Sequence, residues 1–311
     1  MKDFVKICRF HKNDLKEYAA EQLKQTHEHV IVDDGYIYAQ GNFPVLLVAH
    51  MDTVHENLPD QIFYSDVDDI LSSPNGIGGD DRCGIYMIFE VLKRYNCSVL
   101  FTEDEERGCI GAHKFAKTPL AKNLEFNYII EFDRKGNNDA VFYDCYNPDF
   151  EDFITKEFFK TSWGTCSDIS VIAPTLGVAA VNLSCGYYNA HTKEEYVVFY
   201  EMEKVIEEAC KILERTTEDD KFEYIEAEYD YSWAGYGYGG YGYGGGSFAV
   251  KEDYFIIEYS DEDGNVEWYD TMALSEEEAV GRFCMDNPTI PYGSIYCVYN
   301  DAEVSSSGSR R

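Results

Sequence analysis

A run of apolar residues that ends at a histidine is the feature that most constrains the fold. Residues 45–49 read Val-Leu-Leu-Val-Ala, and His50 and Asp52 follow. Such a run predicts a buried strand. Because strand side chains alternate, His50 and Asp52 project to the same side at the carboxyl end of that strand. Open α/β sheets bind ligands at this end, so we expect a functional site there.

Strand and helix patterns alternate over the first two thirds of the chain. In chain order, the predicted elements are a helix over 13–25, a hairpin over 30–38, the strand that ends at His50, a helix over 83–94, a strand over 98–102, a short helix over 111–116, a strand over 128–130, a helix over 150–159, a strand over 178–183 and a helix over 197–215. This alternation predicts an α/β/α sandwich around a mostly parallel mixed sheet.

The alternation stops after the last of these helices. A Tyr- and Gly-rich stretch follows that has no amphipathic period, which predicts a flexible linker, with a self-associating segment as the alternative interpretation. Strand and capping-box patterns beyond it predict a small ββαβ module. The expected organisation is a main domain over 1–217, an acidic and then Tyr/Gly-rich linker over 218–248, an accessory α+β module over 249–300 and a disordered tail over 301–311.

Composition excludes several classes of partner. The 311 residues carry a formal charge of −32, so nucleic acid and anionic membranes are not expected to bind. No apolar run reaches membrane-spanning length, and the first residues lack the apolar core of a signal peptide. The 10 cysteines form no Cys-x-x-Cys motif, which is typical of reduced thiols, and we expect a cytoplasmic protein.

Acidic and histidine side chains recur at the predicted strand ends or in the loops after them. They are His50, Asp80-Asp81, Glu105-Glu106, Asp133 and His191. Each alone has an ordinary interpretation as a turn, a solvated face or a structural histidine. Their succession, each after a strand, favours a metal site instead, since histidine and carboxylate ligands suit zinc and its neighbours. Two histidines and three carboxylates suffice for two ions if one carboxylate bridges. The pair Glu105-Glu106 could then supply one ligand and one general base.

The chain resembles the co-catalytic zinc exopeptidases of the M20, M28 and M42 families over about residues 40 to 215. The resemblance is carried by His50-Met51-Asp52, Gly79-Asp80-Asp81-Arg82-Cys83-Gly84, the segment 102–108, Phe132-Asp133 and Asn189-Ala190-His191. M20 enzymes insert a lid domain and M42 enzymes another domain, at positions where this chain has too few residues for either. The resemblance therefore implies the zinc exopeptidase core without a lid.

The resemblance also implies a role for each site residue. His50, Asp80 and Asp133 would bind one of two zinc ions, Asp80 would bridge, and Glu106 and His191 would complete the other site. Cobalt and manganese are the alternative metals. Asp52 would orient His50, Glu105 would be the general base, and the Asp80–Asp81 peptide bond would be cis.

The substrate-binding residues follow from the same likeness. The segment 163–168 resembles a Gly-Thr-Asp motif that ends at Asp168, and Glu195 matches a glutamate that follows the last histidine ligand. Asp168 and Glu195 are the expected holders of a free amino terminus. Either Tyr187 or Tyr188 is a candidate oxyanion donor, with packing as the favoured alternative interpretation.

The expected activity is that of a zinc aminopeptidase on small peptides. A carboxypeptidase or an N-acyl amino acid deacylase is the second interpretation. A catalytically idle scaffold whose C-terminal module binds a partner is the third. Arg82, Arg107 and Arg134 are isolated in the sequence, and no Arg-rich pocket for a substrate carboxylate is evident, which favours the aminopeptidase. The sequence leaves the side-chain preference and the oligomeric state open.

Overall fold

The computed structural model describes residues 1–164, 166–226, 253–260, 266–273, 279–283, 287 and 295–300. The chain divides into two compact units, Met1–Ile225 and Glu226–Arg311. The Tyr/Gly-rich stretch and the predicted disordered tail lie outside the described residues. Among the residues that are described, no helix has both the length and the apolar character needed to cross a bilayer.

The first unit alternates strands and helices, as predicted. Its α-helices are α1 (Lys2–Cys8), α2 (Lys12–Leu23), α3 (Gly79–Leu92), α4 (Ile110–Ala116), α5 (Pro148–Thr155), α6 (Asp168–Leu176) and α7 (Phe199–Arg215). Its strands are β1 (His29–Asp33), β2 (Tyr36–Gln40), β3 (Phe43–His50), β4 (Phe63–Ser65), β5 (Ile70–Ser72), β6 (Cys97–Thr102), β7 (Tyr128–Arg134), β8 (Asp139–Val141), β9 (Lys160–Ser162), β10 (Ala180–Ser184), β11 (Tyr187–Tyr188) and β12 (Tyr196–Val198).

Eight of these strands form one central sheet in the order β1-β2-β6-β3-β7-β10-β8-β9. The four strands β6, β3, β7 and β10 run parallel, whereas β1 and β2 pair antiparallel with their neighbours and β8 pairs antiparallel with β10. The predicted mostly parallel mixed sheet is therefore confirmed. The carboxyl ends of β3, β6 and β7 meet at one edge of this sheet.

Strand β3 lies at the centre because both of its faces are apolar. Val45, Leu47 and Ala49 pack into the core that includes α3 and α7. Leu46 and Val48 pack on the opposite face, among residues of α4 and α6. All five side chains are fully buried. Burial of each Val or Leu contributes about 1.5–3 kcal/mol, which fixes the register of the strand that ends at His50.

Helix α3 begins four residues before the predicted helix over 83–94. The added segment is not regular helix. Asp80 and Asp81 have extended or irregular dihedral angles, and the peptide bond between them is cis, as the resemblance implies. The segment runs close beneath β7, since a Cβ atom on Gly84 would lie 2.0 Å from the carbonyl oxygen of Phe132. Only glycine allows this approach, which brings Asp80 to the sheet edge.

A second, four-stranded sheet was not predicted. It has the order β11-β12-β5-β4, and β4 and β5 lie between the strand that ends at His50 and the helix predicted over 83–94, where no element was predicted. Strands β4 and β5 have only three residues each, too few for an alternating pattern. This sheet carries the β11–β12 connection, which contains His191.

The first unit extends past the predicted boundary at residue 217. The Phe222 ring lies 5.1–6.2 Å from the rings of Tyr128, Phe150 and Phe153. The backbone N–H of Ala179 donates to the carbonyl oxygen of Phe222. The first compact unit thus ends eight residues beyond the predicted position, and it includes the segment 218–225.

The described part of the second unit follows the ββαβ order. Strands β13 (Asp253–Ser260), β14 (Val266–Ala273) and β15 (Ile295–Asn300) form an antiparallel sheet in the order β14-β13-β15. Phe255 and Ile257 on β13 are buried together with Phe283, which belongs to the helical residues 279–283.

Candidate metal centre

The structure brings the five predicted metal ligands together at the carboxyl edge of the central sheet. Each comes from a different element: His50 ends β3, Glu106 lies in the 3-10 turn after β6, Asp133 lies near the end of β7, Asp80 opens α3, and His191 lies between β11 and β12. The parallel strands place three of the five because their carboxyl ends share one edge of the sheet.

Asp80 lies between the two histidines. Its Oδ1 is 3.1 Å from His50 Nε2, and its Oδ2 is 3.2 Å from His191 Nε2. Each carboxylate oxygen thus faces a different imidazole, the arrangement that a bridging carboxylate requires.

Each of the other two acidic ligands lies near one of the histidines. Asp133 Oδ1 is 3.4 Å from His50 Nε2, and Glu106 Oε2 is 3.1 Å from His191 Nε2. Within each set of three, the ligand atoms lie within 4.8 Å of one another, and the same holds for a third group, His50, Glu105 and Glu106. Glu105 Oε2 is farther away, 3.9 Å from His50 Nε2. The His50 side chain is 1% exposed and that of His191 41% exposed, so the centre has an inner and an outer half.

Asp52 links the inner histidine to the loop after β6. Its Oδ1 is 3.4 Å from His50 Nδ1, the ring nitrogen that faces away from the other ligands. The same carboxylate accepts hydrogen bonds from the backbone N–H groups of Glu105 and Glu106, at 3.2 and 3.3 Å. A carboxylate in this position fixes the imidazole ring and also the two glutamates.

Asp81 and Glu195 hold the backbone on either side of Asp80. Asp81 is fully buried and accepts from the N–H groups of His50 and Gly84. Glu195 is 1% exposed and accepts from the N–H groups of Gly78 and Asp80, at 2.7 and 3.0 Å. His55 Nε2 lies 2.6 Å from the same carboxylate. This corrects the prediction for Glu195, because its carboxylate is buried behind Asp80 and holds protein groups instead of facing a substrate.

The two predicted tyrosines point in different directions. The Tyr187 hydroxyl donates to Asp133 Oδ1 at 3.4 Å and so lies at the centre. The Tyr188 hydroxyl donates to Glu201, and its ring stacks on Tyr196. For Tyr188 the structure therefore favours the packing interpretation over an oxyanion donor.

Asp168 opens helix α6 and is fully buried. One of its oxygens accepts from the Thr102 hydroxyl, and the other has no hydrogen-bond partner among the described residues. Burial raises the pKa of Asp168 to about 7, and the nearby carboxylate of Asp133 adds to the shift.

Two further polar side chains were missed by the sequence patterns. The Ser167 hydroxyl lies 2.6 Å from Glu131 Oε2 and 3.0 Å from Asp133 Oδ2. The side-chain oxygen of Asn182 accepts from the backbone N–H of Asp133 at 2.9 Å. The sequence did contain a signal for Glu131. An acidic residue within an apolar strand is buried only when it is paired, so a partner such as Ser167 could have been expected.

The centre concentrates negative charge away from water. Burial raises the pKa of Glu105, Glu106 and Asp133, and the neighbouring carboxylates add to it. Burial alone would lower the pKa of His50, but Asp133 and other carboxylates outweigh it and raise the pKa.

Buried carboxylates in such numbers require cations, and the donors present fit divalent ions such as zinc. Two buried atoms have no hydrogen-bond partner among the described residues, His50 Nδ1 and Glu106 Oε1. The Glu106 oxygen agrees with a bound cation. His50 Nδ1 does not bear on it, because this nitrogen faces Asp52 instead of the other ligands.

Several solved structures share this fold. Aminopeptidase PepT from Bacillus cereus is 15% identical, with a TM-score of 0.55 over 68% of this chain and 96% of that chain. An aminopeptidase from the archaeon Desulfurococcus kamchatkensis is 15% identical, with a TM-score of 0.54 over 70% of this chain and 94% of that chain. A tripeptidase from Staphylococcus aureus is 13% identical, with a TM-score of 0.53 over 68% and 95%. At these identities the likeness shows the fold.

The shared fold and the sequence match together indicate a metallopeptidase of the zinc exopeptidase type. Within that class, residues 38–175 match the sequence model of peptidase family M28. The predicted resemblance is thereby confirmed. The matched region includes His50, Asp80, Glu106 and Asp133, whereas His191 lies beyond it. No curated protein matches the sequence.

Proposed function

We propose that this metallopeptidase is an aminopeptidase that acts on small peptides through a dinuclear metal centre. The observation that carries the proposal is the position of Asp80, with one carboxylate oxygen near His50 and the other near His191. His50, Asp80 and Asp133 would hold one ion, and Asp80, Glu106 and His191 the other. Zinc suits this set of nitrogen and oxygen donors, and cobalt or manganese could replace it.

The chain's own residues would perform the proton transfer. Two bound ions would polarise the peptide carbonyl and acidify a water molecule. Glu105, which is near His50 but outside the two ligand sets, would accept the proton from the attacking water and pass it to the leaving amine. Asp52 would keep Glu105 and the His50 ring in place through its three contacts. The Tyr187 hydroxyl would turn from Asp133 to donate to the developing oxyanion.

The contacts of two arginines near the centre favour cleavage from the amino terminus. Arg82 is buried and donates to the carbonyl oxygens of Met51 and Phe10, and Arg134 pairs with Asp139. These two guanidinium groups are therefore engaged, whereas Arg107 is exposed in the turn that contains Glu106. The excess of carboxylates at the centre instead favours a substrate that carries a free ammonium group.

The direction of cleavage can be tested with paired substrates. Alanyl and lysyl p-nitroanilides with free amino groups should be hydrolysed faster than their N-acetyl counterparts. Equal rates for the free and acetylated forms would contradict the aminopeptidase and favour the deacylase or another amidohydrolase.

The roles of the two adjacent glutamates test the proposed centre itself. Glu105→Gln keeps the shape of the side chain and removes the proton acceptor, so both metals should stay bound while turnover falls about 10²–10⁴-fold. Glu106→Gln should weaken one metal and give activity that partly recovers at high zinc concentration. The measurement is metal content per chain beside the hydrolysis rate.

The matched control is Glu125→Gln, an exposed glutamate in a loop, which should change neither quantity. If Glu105→Gln loses a metal and Glu106→Gln does not, the two roles are reversed. If neither change alters the rate, the dinuclear hydrolase itself is refuted.

A further inference from the structure

Two cysteines lie side by side next to the general base that we propose. Cys109 Sγ is 3.9 Å from Cys166 Sγ and 3.7 Å from Glu105 Oε1. Cys109 is 2% exposed and caps the start of α4, whereas Cys166 is exposed in the segment between β9 and α6. One thiol is therefore open to small reagents, and the second lies behind it, in contact with Glu105.

The two thiols also join the two segments that support the centre. Cys109 follows the turn that contains Glu105 and Glu106. Cys166 directly precedes Ser167, whose hydroxyl contacts Glu131 and Asp133, and Asp168, which accepts from Thr102. A covalent bond between the sulfurs would thus tie the loop of the base to the segment that supports a metal ligand.

We propose that Cys109 and Cys166 form a redox modification site that takes a hydroperoxide as oxidant and closes to a disulfide, which lowers the peptidase activity. The exposed Cys166 thiolate attacks one oxygen of hydrogen peroxide, the O–O bond breaks, and a sulfenic acid and hydroxide form. The Cys109 thiol then attacks the sulfenic sulfur, the S–O bond breaks, and the thiol proton leaves with the departing hydroxide as water. Two thiols are oxidised by two electrons, and one peroxide is reduced to two waters.

The geometry favours ring closure and predicts its effect. A disulfide has an S–S distance of about 2.05 Å, so the sulfurs must approach by about 2 Å. The exposed segment of Cys166 can supply part of this movement. The closure removes the thiol that Cys109 presents to Glu105 and shifts the two segments relative to each other. Displacements of about 1 Å can reduce turnover by as much as 10²-fold, and we expect a reversible loss of at least roughly tenfold.

The experiment treats the full chain, loaded with zinc, with hydrogen peroxide and then removes the oxidant. Mass spectrometry of a non-reduced digest should find a peptide that joins Cys109 to Cys166. Activity should fall in parallel and return after dithiothreitol. Cys166→Ser, at an exposed position, should abolish both the joined peptide and the reversible loss. Cys145→Ser removes another cysteine of the same unit and should leave both unchanged.

The cross-link does not depend on peptidase activity, so it is scored even if the proposed function fails. Absence of the joined peptide in the wild-type chain, with the fold intact by circular dichroism, would overturn the site. A joined peptide that forms without any change in the activity of an active enzyme would overturn its effect on catalysis. A reversible loss that persists in Cys166→Ser would assign the effect to another cysteine.

Discussion

Adjacent acidic residues at this centre take different tasks because the backbone turns between them. Asp80 faces both histidines, whereas Asp81 points into the protein and accepts from the backbone N–H of His50. Glu106 contacts His191, whereas Glu105 stands nearer His50. In each acidic pair, one residue contacts the outer histidine, His191, and its neighbour lies nearer the inner histidine, His50.

Sequence motifs predicted the members of this cluster but not the directions of their side chains. His50, Asp133 and the pair Glu105-Glu106 could be found because they follow apolar strand patterns, whereas Asp80-Asp81 was identified through the motif of residues 79–84. The burial of Glu195 could not, since its partners are the backbone N–H groups of Gly78 and Asp80, more than 110 residues away along the chain. Tyr187 and Tyr188 alternate across a two-residue strand, and only the fold decides which one faces the ligands.

Glu195→Gln tests whether this buried carboxylate positions Asp80. An amide group would offer one oxygen to backbone N–H groups that now meet two carboxylate oxygens, so one of them loses its acceptor. We expect the free energy of unfolding to fall by about 1–3 kcal/mol. Zinc affinity should fall about 10–100-fold, as is typical when a group behind a ligand is changed. Urea denaturation and zinc competition with a chelator measure the two effects.

The neighbouring Glu194 is exposed and provides the matched control. Glu194→Gln should leave both the stability and the zinc affinity unchanged. Equal losses in the two variants would show that charge in this loop, and not the hydrogen bonds of Glu195, is what matters.

At the scale of elements, the long amphipathic helix α7 packs one face on the sheet and carries ion pairs on the other. Glu208 lies between Lys204 and Lys211, with Nζ–Oε1 distances of 2.5 and 3.0 Å. Burial opposes ionisation of Glu208, but the two ammonium groups outweigh it and lower its pKa. A carboxylate with a lowered pKa stabilises the folded state above its unfolded pKa, and that contribution is lost as the pH falls through the folded pKa.

Glu208→Gln should therefore destabilise the protein near neutral pH and have progressively less effect in acid. We expect a loss of about 0.5 kcal/mol at pH 7, because partly exposed pairs are screened by solvent. Urea denaturation from pH 7 down to pH 3 should show the two unfolding curves converge. Glu214→Gln, at an exposed position of the same helix, is the control, and its free energy of unfolding should equal that of the wild type at every pH. A gap that stays constant with pH would exclude the ion pairs as its cause.

Long elements were predictable and short ones were not. The patterns for β3, β6, β7 and α7 have enough residues to establish a period, and the observed elements agree with them within a few residues. Strand β5 pairs with β12, which lies more than 120 residues away, and β4 pairs with β5, so local sequence carries little information about either strand. Helix α6 contains Pro174, which interrupts the pattern by which a helix is recognised.

At the scale of the whole molecule, the chain is two compact units whose boundary lies at Ile225. Every residue of the candidate centre belongs to the first unit. The segment 218–225 closes the aromatic cluster around Phe222, which the composition of this acidic stretch did not reveal.

A chain that ends at Ile225 should fold and hydrolyse peptides at the rate of the full chain. A chain that ends at Thr217 should be less stable, because it loses the Phe222 ring. Removing a fully buried Phe side chain costs about 3–5 kcal/mol, so the partly buried Phe222 should contribute less than this, and Phe222→Ala in the full chain should reproduce part of the loss. Thermal unfolding and hydrolysis rates compare the four proteins. If the chain ending at Ile225 folds but is inactive, the second unit contributes to the site.

The unequal exposure of the two histidines has a consequence for how the protein would acquire its metal. An ion beside His191 would meet solvent directly, whereas an ion beside His50 would lie behind Asp80 and the buried network of Asp52. The outer ion would then exchange with the surroundings faster than the inner one. Occupancy of the outer position would follow the metal supply of the cell, and the inner ion would act as a permanent part of the folded chain.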